Sequence, residues 1–148
     1  MPDGQAGEPL PRNSLRRQSA ALPVIGAGAA LRVVLITSRE TRRWVVPKGW
    51  IEPQEPPHRS AAREAAEEAG IQGEADAEPL GSYLYPKRLA GGVVQTTEVL
   101  VFRLRVARLL HDWPERRERT RRLFRPEAAA ALVAEPGLAA LLRGLRPR

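Results

Sequence analysis

Residues 49–71, GWIEPQEPPHRSAAREAAEEAGI, hold the pattern that decides the fold of this chain. Prolines precede an alanine-rich segment and a glycine follows it, so the pattern predicts a helix over residues 58–70. On that helix Glu64, Glu67 and Glu68 fall at positions i, i+3 and i+4, which share one face. Like charges at this spacing repel each other, so the face requires a compensating cation.

Carboxylates in such a cluster are typical ligands of hard divalent cations. Two or three that converge on one point form an oxygen site, which suits Mg²⁺ or Mn²⁺ and not a soft metal. Mg²⁺ is usually held this way when a substrate supplies phosphate oxygens, and it then orients the attacking water. A neighbouring carboxylate would take the proton of that water. The alternative, from the glutamate spacing alone, is a solvated acidic face on a surface helix.

The wider stretch resembles the Nudix box of the Nudix hydrolases. It fits the order Gly, five residues, Glu, seven residues, Arg-Glu-apolar-x-Glu-Glu-x-Gly-apolar. The matching positions are Gly49, Glu55, Arg63, Glu64, Ala65, Glu67, Glu68, Gly70 and Ile71. The resemblance implies an α/β fold, a Nudix-type α/β/α sandwich with a mixed β-sheet and a catalytic loop–helix–loop. It also implies an enzyme that uses Mg²⁺ or Mn²⁺ to hydrolyse phosphoanhydride bonds of a diphosphate linked to another moiety.

The same resemblance assigns roles within the box. The implied metal-binding positions are Glu64, Glu67, Glu68 and the carbonyl of Gly49. Glu64 and Glu67 are the implied catalytic carboxylates, and Glu67 acts either as a ligand or as the general base. Glu55 is implied to pair with Arg63 and so to brace the loop on the helix.

A longer likeness concerns the substrate. Residues 37–55, TSRETRRWVVPKGWIEPQE, are similar to the corresponding segment of diphosphoinositol polyphosphate phosphohydrolases, which also cleave diadenosine polyphosphates. The likeness covers about residues 22–145 and favours a diphosphoinositol polyphosphate or a dinucleoside polyphosphate as substrate. The candidate substrate-binding positions are Ser38, Arg39 and Arg43, from the likeness, and Lys48 and Lys87, which flank strands or the metal loop.

The charge distribution agrees with a polyphosphorylated small-molecule substrate. The chain carries a net charge of +7, but residues 49–78 hold eight acidic and two basic residues. That segment is therefore at −6 and the remainder at +13. An acidic island in a basic protein fits a metal site whose substrate is held by surrounding cations. The absence of cysteine excludes disulfides and a zinc–thiolate site.

Glu98 is a further candidate, outside the box. Residues 93–109 read as a long strand, and alternation puts Glu98 on the face of Leu100 and Phe102. A charge on such a face is unusual unless it reaches the site. Glu98 is therefore a candidate extra metal ligand or base.

The 148 residues suit one domain, and the order of elements predicts a mixed sheet with helices outside. Residues 1–20, rich in proline, glycine and polar residues, predict a flexible N-terminal arm, and residues 21–148 predict a single Nudix hydrolase domain. Outside the box, the predicted strands and helices are residues 31–38, 44–47, 81–86, 93–109, 126–135 and 138–145.

Location and partners follow from what the sequence lacks. No apolar run has membrane-spanning length and the first residues do not resemble a secretory signal, so a cytoplasmic protein without a membrane partner is expected. No basic strand interleaved with aromatic residues is present, which argues against nucleic acid. Homodimers are frequent in the family and stay open here. The alternatives are hydrolysis of ADP-ribose, a nucleotide sugar or RNA 5′ ends, and a non-catalytic Nudix-fold ligand sensor.

Overall fold

The computed structural model describes residues 16–145, so residues 1–15 of the predicted arm lie outside the described part. This part folds as a mixed sheet with α-helices on both faces. Its strands are β1 (Arg16–Ile25), β2 (Arg32–Thr37), β3 (Trp44–Val45), β4 (Lys48–Trp50), β5 (Ile71–Ala75), β6 (Gly81–Arg88), β7 (Val94–Leu109) and β8 (Arg121–Phe124). Its α-helices are α1 (Pro57–Ala69), α2 (Pro126–Leu132) and α3 (Pro136–Arg143).

Strand β7 organises the sheet because its length allows it to pair with three other strands. It runs parallel to β1 and antiparallel to both β5 and β6. On the other side of β1, antiparallel pairing joins β4 at one end and β2 at the other. Strands β3 and β8 complete the sheet beside β2. The predicted α/β class with a mixed sheet is confirmed.

Each sheet face has its own apolar core. Helix α1 packs small side chains, Ala61, Ala65 and Ala69, against Phe102 and Leu104 on the sheet. Small residues bring the helix axis close to the strands, as the alanine-rich segment predicts. On the opposite face, α2 and α3 cover a second cluster of aliphatic side chains from β1, β2, β6 and β7. The sheet therefore lies between helices, as an α/β/α sandwich.

The predicted arm ends earlier than residue 20. Residues Arg16 to Ala20 already belong to β1, and Gln18 and Ser19 are buried. Their polarity does not exclude a strand, because β1 lies between β7 and β4 and its backbone groups are satisfied on both sides. Short strands β4 and β8 form in proline-rich and charged segments because each pairs along one side, β4 with β1 and β8 with β2.

Helix α1 ends at Ala69, immediately before Gly70, as the sequence predicts. The need for glycine at position 70 can be tested by substitution. Gly70 has φ +65°, and a Cβ there would lie 2.5 Å from Trp113 ring atoms. Gly70→Ala should lower the free energy of unfolding by about 1–3 kcal/mol, since it adds a left-handed strain and a clash. Urea denaturation measures this difference. Gly91→Ala is the matched control, because Gly91 has φ +78° but open space around it. Equal losses in both variants would contradict the role of the Trp113 contact.

Candidate active site

Helix α1 presents Glu64 and Glu68 to the backbone of β4. A Cβ added to Gly49 would overlap the Glu64 carboxyl group, so the two residues are in direct contact. One residue earlier, the Lys48 backbone N–H donates to Glu68 Oε1 at 3.2 Å. Both glutamate side chains are only about 14% and 13% exposed. The i, i+4 spacing and the β4 backbone therefore hold two carboxyl groups at one edge of the sheet.

The electrostatics of this pair require a cation or a proton. Burial raises the pKa of both carboxyl groups, and the pKa of Glu68 reaches about 8 through burial and its hydrogen bond with Glu64. Two carboxylates that share a water-poor site cannot both stay ionised without compensation. Oxygen ligands in such an arrangement are those that Mg²⁺ and Mn²⁺ prefer. The donor set of the site thus fits a hard divalent cation.

Glu67 does not join this pair. Its side chain is 46% exposed, and Oε2 lies 3.4 Å from Nη1 of Arg63. Within residues 16–145, no three His, Asp or Glu side chains are gathered tightly enough to hold a metal ion as they stand. Of the two or three carboxyl groups that the spacing predicts to converge, Glu64 and Glu68 do so and Glu67 lies apart from them. Position i+3 puts Glu67 on the solvent side of the pair, where its carboxylate accepts a hydrogen bond from Arg63 Nη1.

The two residues expected to brace the loop are in contact. Arg63 Nε donates to both Glu55 carboxylate oxygens at 3.2 and 3.3 Å, and Nη2 donates to Oε1 at 3.0 Å. This pairing lowers the pKa of Glu55 and raises that of Arg63. Arg63 Nη1 also donates to Glu64 Oε2 at 3.2 Å. The brace therefore fixes the loop and orients a carboxylate of the buried pair.

Arg119 also lies at the carboxylate pair, although the sequence alone does not distinguish it from the other arginines nearby. Its side chain is 8% exposed and is held by Glu115 at 2.8 Å and by the Thr37 carbonyl at 3.1 Å. Its Nη2 lies 3.8 Å from Glu68 Oε1. Only the return of the chain to β2 after β7 brings it there, and no local signal separates it from its neighbours. It supplies a fixed positive charge at the rim of the carboxylate pair.

The segment after β2 forms a closed loop that carries three predicted substrate residues, Ser38, Arg39 and Arg43. The Arg43 backbone N–H donates to Ser38 Oγ at 3.1 Å, and the Ser38 N–H donates to the Arg43 carbonyl at 2.8 Å. Arg39 is exposed and pairs with Glu118 at 3.1 Å. Ser38 therefore shapes the loop, while Arg39 and Arg43 lie on its solvent side.

Glu98 lies on the α1 side of the sheet with Leu100 and Phe102, as its alternation predicts. It accepts from Arg17 Nε at 2.9 Å and from Ser82 Oγ at 3.2 Å. No hydrogen bond or ion pair of the described residues joins Glu98 to the box glutamates. It lies instead beside a cavity of about 400 Å³ lined by Arg16, Arg17, Trp50, Ile51, Pro57 and Leu100.

Lys48 and Lys87 lie on the opposite, α2–α3 side. The pairing Gln18–Trp50 and Ala20–Lys48 puts the Lys48 and Trp50 side chains there. Lys48 Nζ is 5.4 Å from the Tyr85 ring, and Lys87 Nζ is 5.7 Å from the Trp50 ring. Both distances allow cation–π attraction. The two lysine side chains thus lie on one sheet face, and Lys48 belongs to the strand whose backbone contacts the carboxylate pair.

Comparison with known proteins decides the family. Residues 15–145 match the sequence profile of the NUDIX domain. The chain belongs to the Nudix family. Its 23-residue Nudix box runs from Gly49 to Ile71 and contains the carboxylate pair and its brace.

Relatives of this Nudix chain include mouse diphosphoinositol polyphosphate phosphohydrolase 3-alpha, 38% identical over 87 residues, which cover 56% of this chain and 46% of the relative. Nudix hydrolase 12, mitochondrial, from Arabidopsis thaliana is 33% identical over 105 residues, or 69% of this chain and 52% of the relative. The chain spans about half the length of these curated relatives. The subgroup with diphosphoinositol polyphosphate phosphohydrolases is therefore supported.

Solved structures show the same fold. A C. elegans Ap4A hydrolase aligns with a TM-score of 0.60 at 18% identity, over 87% of this chain and 94% of that chain. The E. coli dihydroneopterin triphosphate pyrophosphohydrolase aligns with a TM-score of 0.67 at 17% identity, over 88% of this chain and 96% of that chain. The described part of this Nudix chain contains no helix with the length and apolar character that crossing a bilayer requires.

Proposed function

We propose that this Nudix chain is a divalent-metal-dependent hydrolase that cleaves a phosphoanhydride bond in a diphosphate linked to another moiety. The observation that carries the proposal is the buried Glu64–Glu68 pair against the backbone of β4. A structural role does not account for two adjacent buried carboxyl groups, because their repulsion destabilises the fold. A divalent cation compensates both charges and remains able to bind phosphate oxygens.

The residues of the box have different roles in this proposal. Glu64, Glu68 and the Gly49 carbonyl hold Mg²⁺ or Mn²⁺, and Arg63 orients Glu64. When bound, the cation neutralises phosphate charge and activates water for attack. Glu67 is half exposed beside the pair, so it is free to act as a ligand or to take the proton of the attacking water.

The surrounding cations suit a polyphosphate. Arg119 places a positive charge next to Glu68. The Lys48 side chain extends from β4 to the opposite face of the sheet. Arg39 and Arg43 add exposed charges on the loop after β2, which Ser38 shapes, and Lys87 adds a partly exposed charge on the α2–α3 face. Guanidinium groups are well suited to bind phosphate with two hydrogen bonds. The foremost substrates are a dinucleoside polyphosphate and a diphosphoinositol polyphosphate, in agreement with the names of the relatives.

The experiment is a product-release screen with and without Mg²⁺, comparing wild type with Glu67→Gln. The panel holds diphosphoinositol pentakisphosphate, diadenosine tetraphosphate, ADP-ribose and a triphosphate-capped RNA. Metal-dependent turnover should fall about 100-fold or more in the variant. Glu52→Gln, an exposed residue of the same loop, should retain wild-type turnover. Tight binding of a panel member without turnover would replace the proposal with the sensor function.

A cytoplasmic location stays a prediction from the sequence, and so does a homodimer. Size-exclusion chromatography with light scattering measures the second.

A further inference from the structure

The last turn of helix α1 carries Glu67 and Glu68, and this turn has little support of its own. The final carbonyl groups of a helix lack partners within it, and its negative dipole end favours cations. The last turn of α1 contains no basic residue, and its two glutamates have the unfavourable sign of charge. Repulsion between Glu64 and Glu68 adds to this cost. The turn that positions Glu68 therefore needs stabilisation from outside the helix.

The connection between β7 and β8 supplies donors to this turn. Trp113 Nε1 donates to the Glu68 carbonyl at 3.0 Å, and the Glu115 backbone N–H donates to the Glu67 carbonyl at 3.2 Å. Both bonds join segments more than 40 residues apart in the chain. We call the side chains of Trp113 and Arg121, with the backbone N–H of Glu115, the helix clamp.

Arg121 adds the positive charge that the last turn lacks. Its Nη1 donates to the carbonyls of Ala69 and Gly70 at 2.8 and 3.2 Å, so four consecutive carbonyls accept hydrogen bonds from the helix clamp. Its guanidinium carbon lies 4.3 Å from the centre of the Trp113 ring, a distance at which the cation attracts the ring. A cation at the C-terminal end of a helix stabilises its last turn.

The helix clamp is attached to the sheet independently of α1. The Thr37 N–H donates to the Thr120 carbonyl at 3.0 Å, and the Thr120 N–H donates to Thr37 Oγ1 at 2.9 Å. Thr37 is buried at the end of β2, and Arg121 pairs with Ile36 in the ladder between β2 and β8. The sheet therefore places Arg121, and the helix end is held against it.

We propose that Trp113 and Arg121 are positioning residues for the metal site: they hold the last turn of α1 so that Glu68 stays beside Glu64 in a geometry that binds a divalent cation. Both act through carbonyl groups of the helix backbone. The inference rests on the proposed function and extends the same site to two residues outside the Nudix box.

The first test measures Mn²⁺ binding to the full chain by isothermal titration calorimetry, well below the Tm of each variant. Trp113→Phe keeps an aromatic ring and removes the N–H donor, and its Kd for Mn²⁺ should rise about tenfold. Arg121→Met should raise the Kd by about tenfold or more, and Arg121→Lys should regain part of the loss because it keeps a cation. Trp44→Phe is the matched control, since Trp44 packs against Phe124 on the opposite sheet face, and its Kd should equal that of wild type.

Kinetics separate positioning from a general loss of folded protein. In Trp113→Phe the Mg²⁺ concentration for half-maximal rate should rise about tenfold, while kcat at saturating Mg²⁺ and KM for diadenosine tetraphosphate stay near their wild-type values. A purely structural role would lower kcat by the same factor at every Mg²⁺ concentration, and this result would overturn the inference.

The binding data distinguish this inference from the proposed function. Weaker Mn²⁺ binding in Trp113→Phe and Arg121→Met, in a protein that hydrolyses no member of the panel, would support the helix clamp and remove the hydrolase. Wild-type Kd values in both variants would overturn the helix clamp and leave the hydrolase standing. No Mn²⁺ binding by the wild-type chain would overturn both.

Discussion

Replacing Glu68 by glutamine should lower kcat/KM by about 100- to 1,000-fold and should raise the Mg²⁺ concentration needed for half-maximal rate. The substitution keeps the shape of the side chain and its contact with the Lys48 N–H, but it removes one of the two charges of the buried pair. Steady-state kinetics across a Mg²⁺ titration measure both effects.

The same variant should be more stable than wild type without metal. Burial and the Glu64 contact raise the pKa of Glu68 to about 8, so the folded state holds this carboxyl group at a cost. This cost applies at pH values above the ordinary carboxyl pKa of 4.5, so at neutral pH removing the ionisable group should raise Tm by about 2–4 °C, equivalent to roughly 1 kcal/mol for a chain of this size. A loss of activity together with a lower Tm would contradict this explanation and indicate misfolding. Glu52→Gln, exposed in the preceding loop, should change neither quantity.

Gly49→Ala should lower kcat/KM by about 100-fold, since the new Cβ would overlap the Glu64 carboxyl group. Gly49 does not need a positive φ, so alanine adopts its backbone conformation without strain. The effect should therefore come from displacement of one carboxylate. The Mg²⁺ requirement should rise in parallel with the loss of rate.

Gly144→Ala provides the control for the added methyl group. Its nearest neighbour would lie 3.5 Å from the new Cβ, which is an ordinary contact. This variant should keep wild-type kinetics and stability. Wild-type rates at low Mg²⁺ in Gly49→Ala would show that Glu64 does not need its present position, and would remove it from the metal site.

The sequence predicted the local part of the site well. A helix places residues i and i+4 on one face whatever surrounds it, so the alignment of Glu64 with Glu68 follows from spacing alone. The helix end at Gly70 follows from local signals and the face of Glu98 from strand alternation. The Glu55–Arg63 pairing was implied by the resemblance to the Nudix box. The family follows from the box, because its fixed positions are adjacent in the chain.

Contacts between segments that are far apart in the chain could not be predicted from the sequence. Arg119 reaches Glu68 because β8 returns to the edge of β2, and nothing local distinguishes it from four nearby arginines. Residues 16–20 are polar, yet they form a strand because β7 and β4 supply backbone partners on both sides. Glu67 was expected beside Glu64 and Glu68, but its side chain turns to Arg63 and solvent.

The sequence by itself determined the class of fold, the family and the helix that carries the glutamates, since these depend on periodicities of a few residues. Only the tertiary structure decided which two carboxyl groups are buried against the backbone of β4 and which arginine accompanies them. The physical reason is that these contacts join segments far apart in the chain: the pairing of β4 with β1 places Gly49 beneath α1, and the pairing of β8 with β2 brings Arg119 to Glu68.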